Sequence, residues 1–176
     1  MSKQNNYDII TGFLIENREA CYRLAYSYVH NKEDALDIVQ ESICKALSSA
    51  GALKNRPAVK SWFYKIVVNT ALDFLRNNSR YVFLEDEELE NLIPPAEDHP
   101  EDPDLRSAIE QLPTKNKTVI LLRYFEDLKL EEIAGILNEN VNTVKTRLYS
   151  SLKKLRIELD NPEAFPRVQT GQKGAR

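Results

Sequence analysis

Along most of the chain, apolar residues return every three or four positions, the period of an α-helix whose one side is buried. Residues 7–28 form the first such stretch, with Phe13, Tyr22, Leu24, Ala25 and Tyr28 supplying the apolar bulk. A second runs from Lys32 or Glu33 to about Ser49 and stops before Gly51, a natural C-terminal punctuation. Its core stripe reads as Leu36, Val39, Ile43 and Leu47, with Asp34, Asp37, Glu41 and Lys45 nearly opposite and Ile38 in their midst. The third begins near Pro57, well placed for a first helical turn, and ends at the cluster Asn77, Asn78, Ser79. It is apolar around most of its circumference: Val59, Trp62, Phe63, Ile66, Val67 and Phe74 fill one side, and Tyr64, Val68 and Leu75 another. Together these three predict a compact helical bundle.

A second group of elements lies further on. Leu130 to Leu137 and residues 141–156 read as two helices joined by the short break Asn138, Glu139, Asn140, and asparagine tolerates the left-handed backbone such a turn needs. Ile133, Ala134 and Leu137 share a face of the first; Val144, Leu148, Leu152 and Leu155 share a face of the second. A short helix, a tight turn and a basic second helix predict a helix-turn-helix, whose second helix enters the DNA major groove. With Val144 marking the core, Asn142, Thr146, Tyr149, Ser150 and Lys153 point away from it, with Lys145 at the border. A tyrosine among hydroxyls and amines suits a surface that touches bases and sugar; an ordinary amphipathic bundle helix is the competing reading.

The charge pattern separates the two groups. The formal net charge is −3, yet residues 81–105 hold ten acids and no base, so the rest of the chain is net positive. Residues 51–80 carry six basic groups against one acid, and residues 141–156 five against none. Two basic regions flanking an acidic tether predict two contacts with a polyanion. The tether, residues 81–104 with Pro94, Pro95, Pro100 and Pro103, cannot build a packed core and is expected to be a flexible linker. The predicted architecture is therefore all-α: an N-terminal bundle over residues 1–80, the acidic linker, a helix-turn-helix domain over 105–160, and a disordered tail over 161–176.

Two faces of the bundle invite ligands. The acidic face of the second helix, with an isoleucine at its centre, reads either as a contact patch with a polar rim or as a solvated face with one stray apolar residue. On the third helix Lys65, Asn69 and Arg76 fall within about 40° of one another, with Asp73 at the edge. Lysine, asparagine and arginine are the donors expected for phosphates and base edges, and nearby aromatic rings offer stacking surfaces for unpaired bases. The competing reading is a solvated stripe with an Asn69–Asp73 contact.

Other chemistry is thin. Cys21 and Cys44 have no metal-ligand spacing and are expected to be reduced core residues. His30 and His99 are solitary, and no phosphate loop or nucleophile signature is present, so no catalytic residue, metal, cofactor or small-molecule substrate is expected. The N-terminus has no apolar run of signal or membrane-span length, which predicts a cytoplasmic protein.

DALDIVQESICKAL, SWFYKIVVNTALDFLR, LPTKNKTVILLRYFEDLKLEEIAGIL and NTVKTRLYSSLKKLR, in this order, resemble an extracytoplasmic-function sigma factor of the sigma-70 family from about residue 13 to 158. The resemblance implies an alternative sigma subunit that binds RNA polymerase core and directs initiation at −10 and −35 elements. It implies that Asp34, Asp37, Gln40 and Glu41, around Ile38, bind the β′ clamp helices. Asn69, Asp73 and Arg76, beside Lys65, would read the −10 element. Lys145, Thr146, Arg147 and Tyr149, with Asn142, Thr143 and Lys153, would read the −35 element. The linker would thread toward the active cleft and RNA exit path, so the partners implied are the β′ and β subunits, promoter DNA, and a membrane-anchored anti-sigma factor holding the protein at the inner face of the membrane. The chain departs from its relatives at Val67-Val68-Asn69, where many have arginine and alanine before the asparagine, at Ser150, where a basic residue is frequent, and at Asn142, where glycine is frequent. Two other functions fit the residues: a stand-alone helix-turn-helix regulator that binds a palindrome without polymerase, and an adaptor that binds only proteins.

Overall fold

The computed structural model describes residues 3–78 and 103–160. The expected linker, apart from its last two residues, and the expected tail lie outside them. Among the described residues every regular element is helical. The N-terminal unit comprises α1 (Lys3–Glu16), α2 (Arg18–Val29), α3 (Lys32–Ser48) and α4 (Val59–Asn77). The C-terminal unit comprises α5 (Pro103–Glu110), α6 (Thr114–Ile120), α7 (Leu130–Leu137) and α8 (Val141–Asp160), with α6 continuing as a π-helical turn over Leu121–Phe125.

The first predicted helix is two. Asn17 leaves the helical region at φ −116° and ψ 20°, and its Nδ2 donates to the Phe13 carbonyl at 2.9 Å. A side chain that satisfies the carbonyl one turn back lets the helix end without glycine or proline, so the break carries no obvious sequence mark. α2 ends on His30 in the left-handed region (φ 49°). Asn31 then caps α3 by accepting the Asp34 N–H at 3.0 Å, and the acids Glu33 and Asp34 sit favourably in the first turn. Ahead of α4, Asn55 caps the short turn Arg56–Ala58, which holds Pro57 near the start the sequence predicts for this helix. Asn6, buried in α1, donates to the carbonyls of Ala50 and Leu53 and ties the first helix to the loop after α3.

α3 is rotated relative to the stripe expected for it. It is clasped between α2 and α4, so its buried arc is Ala35, Ile38, Val39, Ser42 and Ala46. Ile38 is 0% exposed and Leu36 is 58% exposed, the reverse of the sequence reading. The small residues Ala35, Ser42 and Ala46 allow close helix approach, and a stripe traced through leucines cannot see them. Cys44 is also exposed, contrary to expectation. Cys21 is buried, and burial followed by the nearby Glu126 charge pushes its thiol up to about 12. At the heart of the bundle Phe13 meets the Phe63 ring at 5.9 Å and the Tyr64 ring at 6.0 Å.

The C-terminal unit closes around Val119, Leu122, Ile133, Ile136, Val144, Leu148 and Leu155. Asn138 ends α7 in the left-handed conformation (φ 53°), and Asn140 Oδ1 accepts the Asn142 N–H at 2.8 Å, just ahead of the start of α8 at Val141. The turn is therefore built from the asparagines the sequence singles out.

The sequence offered no sign that the two units pack together. α7 lies against α4 and α6 against α2, so the apolar cores join. Side-chain contacts cross this seam, His30 with Glu110 at 3.6 Å among them. The Tyr64 hydroxyl donates to Glu126 Oε2 at 2.5 Å, and the Tyr28 and Thr118 hydroxyls are 2.9 Å apart. Lys60 Nζ lies 3.8 Å from Glu126, and the Arg23 guanidinium sits 5.4 Å above the Phe125 ring.

Candidate nucleic-acid interface

Three exposed surfaces remain. The outer face of α3 presents Glu33, Leu36, Asp37, Gln40 and Glu41. Leu36 is a large apolar side chain ringed by acids and an amide, the arrangement the sequence assigned to Ile38. Ile38 cannot contact a partner because it lies between α2 and α4. Asp34 is buried at the start of the helix, with its N–H on the Asn31 cap, and so stands apart from the exposed acids. Glu41 pairs with Lys45 at 2.8 Å, and Lys45 donates to Thr70 on α4 at 3.2 Å, coupling this face to the next.

On α4 the polar stripe emerges as drawn from the sequence: Lys65, Asn69 and Arg76 are exposed and Asp73 half-buried. Asp73 pairs with Arg76 at 3.2 Å rather than with Asn69. Where the end of α4 passes the middle of α3, Glu41, Asp73, Phe74, Asn77 and Asn78 line a cleft of about 360 Å³. An aromatic wall with amide donors and acceptors around it has the chemistry to hold an unstacked base.

The third surface is α8. Asn142, Thr143, Lys145, Thr146, Tyr149, Ser150 and Lys153 are all exposed, and Tyr149 stands out at 66%. Opposite them Val144, Leu148, Ser151 and Leu155 are buried, so the face computed from helical geometry is the face that exists. Thr146 Oγ1 donates to the Asn142 carbonyl at 3.0 Å, which leaves its oxygen as an acceptor. Residues 141–156 contain no acid, and Lys145 and Lys153 project beside Tyr149, so this face offers cationic donors and one aromatic surface to a polyanion.

Arg147, expected on the reading face, is occupied elsewhere. Its Nε and Nη2 each donate to the Glu139 carboxylate at 3.1 Å, and Nη1 lies 3.5 Å from Asn116 Oδ1. Lys115 adds a second cation to Glu139 at 3.3 Å, and Asn116 donates to the Ser150 and Ser151 hydroxyls. This network fastens α8 to the turn and to α6, so Arg147 fixes the orientation of α8. Sequence reasoning missed Glu139 and Asn116, because their spacings to Arg147 cross a turn and a whole helix and match no local period.

Among the described residues no group of three His, Cys, Asp or Glu could hold a metal ion, and no helix is long and apolar enough to cross a membrane.

Residues 14–81 match the family model for sigma-70 region 2 and residues 103–155 that for sigma-70 region 4. The chain is 54% identical to the RNA polymerase sigma factor SigV of Bacillus subtilis (strain 168), over 89% of this chain and 95% of that one. It is 29% identical to the extracytoplasmic-function sigma factor SigW of the same organism, over 89% and 92%. Its fold is similar to the sigma factor RpoE of Bartonella quintana, solved in complex with the anti-sigma factor NepR, with TM-score 0.69 at 21% identity, over 86% of this chain and 96% of that one. With regions 2 and 4 matched in the family's order and relatives aligned over nearly their whole length, the chain belongs to the extracytoplasmic-function sigma factors of the sigma-70 family.

Proposed function

We propose that this sigma factor, a non-enzymatic initiation subunit, divides its work among the three surfaces. The outer face of α3, centred on Leu36 with Asp37, Gln40 and Glu41, binds the β′ clamp helices of core polymerase. The α4 stripe of Lys65, Asn69 and Arg76 addresses the −10 strand once it is unpaired. The exposed face of α8, with Asn142, Thr143, Lys145, Thr146, Tyr149 and Lys153, reads the −35 element, oriented by Arg147. Residues 1–80 and 105–160 thus form the two promoter-reading domains, and residues 81–104 the linker between them. The protein acts in the cytoplasm under an anti-sigma factor, a reading supported by the NepR complex of its structural relative. The acid-free α8 face with Tyr149 exposed beyond a buried stripe carries the proposal.

The test is initiation in a purified system. Core polymerase with this chain should form open complexes at a cognate promoter, and the chain alone should show no sequence-specific shift of the same DNA. Specific binding of a palindrome by the chain alone would identify a stand-alone regulator instead. Asn69→Ala and Arg76→Ala should lower open-complex formation while core binding persists, and a pre-melted promoter separates a melting defect from a base-reading one.

A further inference from the structure

A small pocket of about 70 Å³ lies between α2 and the start of the C-terminal unit, away from the three surfaces described above. Arg23 and Tyr26 of α2, Arg106 and Glu110 of α5, and Phe125 of the π-helical turn line it. Such π turns are rare and recur at functional sites. Both arginines are half-buried, and neither guanidinium makes an ion pair or a hydrogen bond with a described residue. A charge drawn this far from water normally has a partner.

The donors around the pocket are held in place. The Arg23 guanidinium lies 5.4 Å above the Phe125 ring. Stacking uses its flat face, so the N–H donors stay available around its edge. Tyr26 packs between Tyr22 and His30 along α2, with ring centroids 5.9 and 5.7 Å away. Burial, and then the Glu110 carboxylate, hold its phenol above the ordinary range, so it is a neutral O–H donor. Ser27 adds no donor, because its hydroxyl donates to the Leu24 carbonyl at 2.6 Å. Glu110, the acid in the lining, is engaged by Lys117 at 2.9 Å, which leaves the two guanidiniums as the excess charge.

Two permanently charged forks and a phenol are the donors that recognise an oxyanion. Size then selects among oxyanions. A single water needs roughly 10–15 Å³, so this pocket holds a handful of water-sized groups, the scale of the four oxygens of phosphate. Pockets for larger ligands run to roughly 300–1,000 Å³.

We propose that the pocket is a binding site for one tetrahedral oxyanion, free inorganic phosphate, held by Arg23, Arg106 and Tyr26. The ion bridges the two units, since Arg23 and Tyr26 belong to one and Arg106 to the other, and it stabilises the folded chain by mass action. None of these residues lies on the outer faces of α3, α4 or α8, so the site stands apart from the sigma-factor reading.

The test titrates the full chain with inorganic phosphate at constant pH, against sodium acetate of equal ionic strength. Calorimetry should show one saturable site. At ten times the dissociation constant, phosphate should raise the melting temperature by about 3–6 °C, and acetate should not. Arg106→Gln should weaken phosphate binding about tenfold or more, the order of a lost charge-assisted hydrogen bond, while circular dichroism shows the helices intact. Arg23→Gln should do the same. Because it also loses the contact with Phe125, Arg106→Gln alone decides if Arg23→Gln lowers the helix content. No saturable binding, equal stabilisation by acetate, or unchanged binding to folded Arg106→Gln overturns the site. Tighter binding of a nucleoside monophosphate than of the free ion overturns its assignment to inorganic phosphate.

Discussion

Ile38 and Leu36 show how two residues exchange roles when a helix is clasped from two sides. A carboxylate introduced at Ile38 would be buried without a partner, which costs several kcal/mol, roughly 3 or more, and should unfold the bundle. Leu36→Asp should leave the melting temperature within a few degrees of the wild type and weaken core polymerase capture. Thermal melts and pull-downs on the two variants distinguish them, and equal stability of both would contradict the burial of Ile38. His30 makes a different prediction. Burial, reinforced by the Lys117 ammonium, lowers its pKa to about 4. Glu110 lies 3.6 Å from Nδ1 but also 2.9 Å from Lys117, so its charge is already engaged and the imidazole stays neutral despite the near ion-pair distance. The unfolded chain then binds the extra proton as pH falls from 6.5 toward 4, and stability contributed by neutral His30 is lost through that window. His30→Gln should flatten the fall in denaturation midpoint between those pH values; an unchanged slope would assign acid sensitivity to other groups.

At the level of elements, most of what the sequence promised came from strong, local signals. The period of three and four located α3, α4, α7 and α8 to within a residue or a few, and Asn140 before α8 acts through its side chain. The misses have a common physical origin. Asn17 ends α1 by a side-chain bond without a breaking residue, and the buried arc of α3 runs through alanines and serine, which hydrophobicity patterns undercount. The candidate α8 face was legible because one side of that helix is buried and the other open, whereas the partner of Arg147, Glu139, was not because it lies across a turn. Asn138 carries an element-scale prediction. Its left-handed conformation at φ 53° costs an ordinary side chain roughly 1–2 kcal/mol, so Asn138→Ala should lower stability by about 1 kcal/mol and Asn138→Gly should not. Denaturant melts measure this directly, and a neutral alanine variant would mean the turn adopts another conformation.

For the whole molecule, the sequence supplied two helical units and their separate charges but not their meeting. The seam depends on Tyr28, Tyr64, Thr118 and Glu126, whose types are individually common and whose partners lie in the other unit. The proposed division between reading and orienting residues also has a measurable signature in the assembled holoenzyme. Lys145→Ala should reduce the slope of log affinity against log salt by about one unit if it neutralises a phosphate. Arg147→Ala should weaken promoter binding more evenly, with a slope near the wild-type value, because its charge is already matched by Glu139. Promoter titrations across salt concentrations give both numbers, and a one-unit loss with Arg147→Ala would return that arginine to the DNA.

The seam pairs also set an order of events during synthesis. Tyr28 and Thr118 are separated by 90 positions, and Tyr64 and Glu126 by 62, while the helices within each unit join near neighbours in sequence. At ribosomal rates of roughly 5–20 residues per second, the N-terminal unit leaves the tunnel some seconds before its cover is made. For that interval a nascent chain displays α3 and α4 together with the tyrosine hydroxyls that will later be sealed, so its first encounters happen while it is still uncovered.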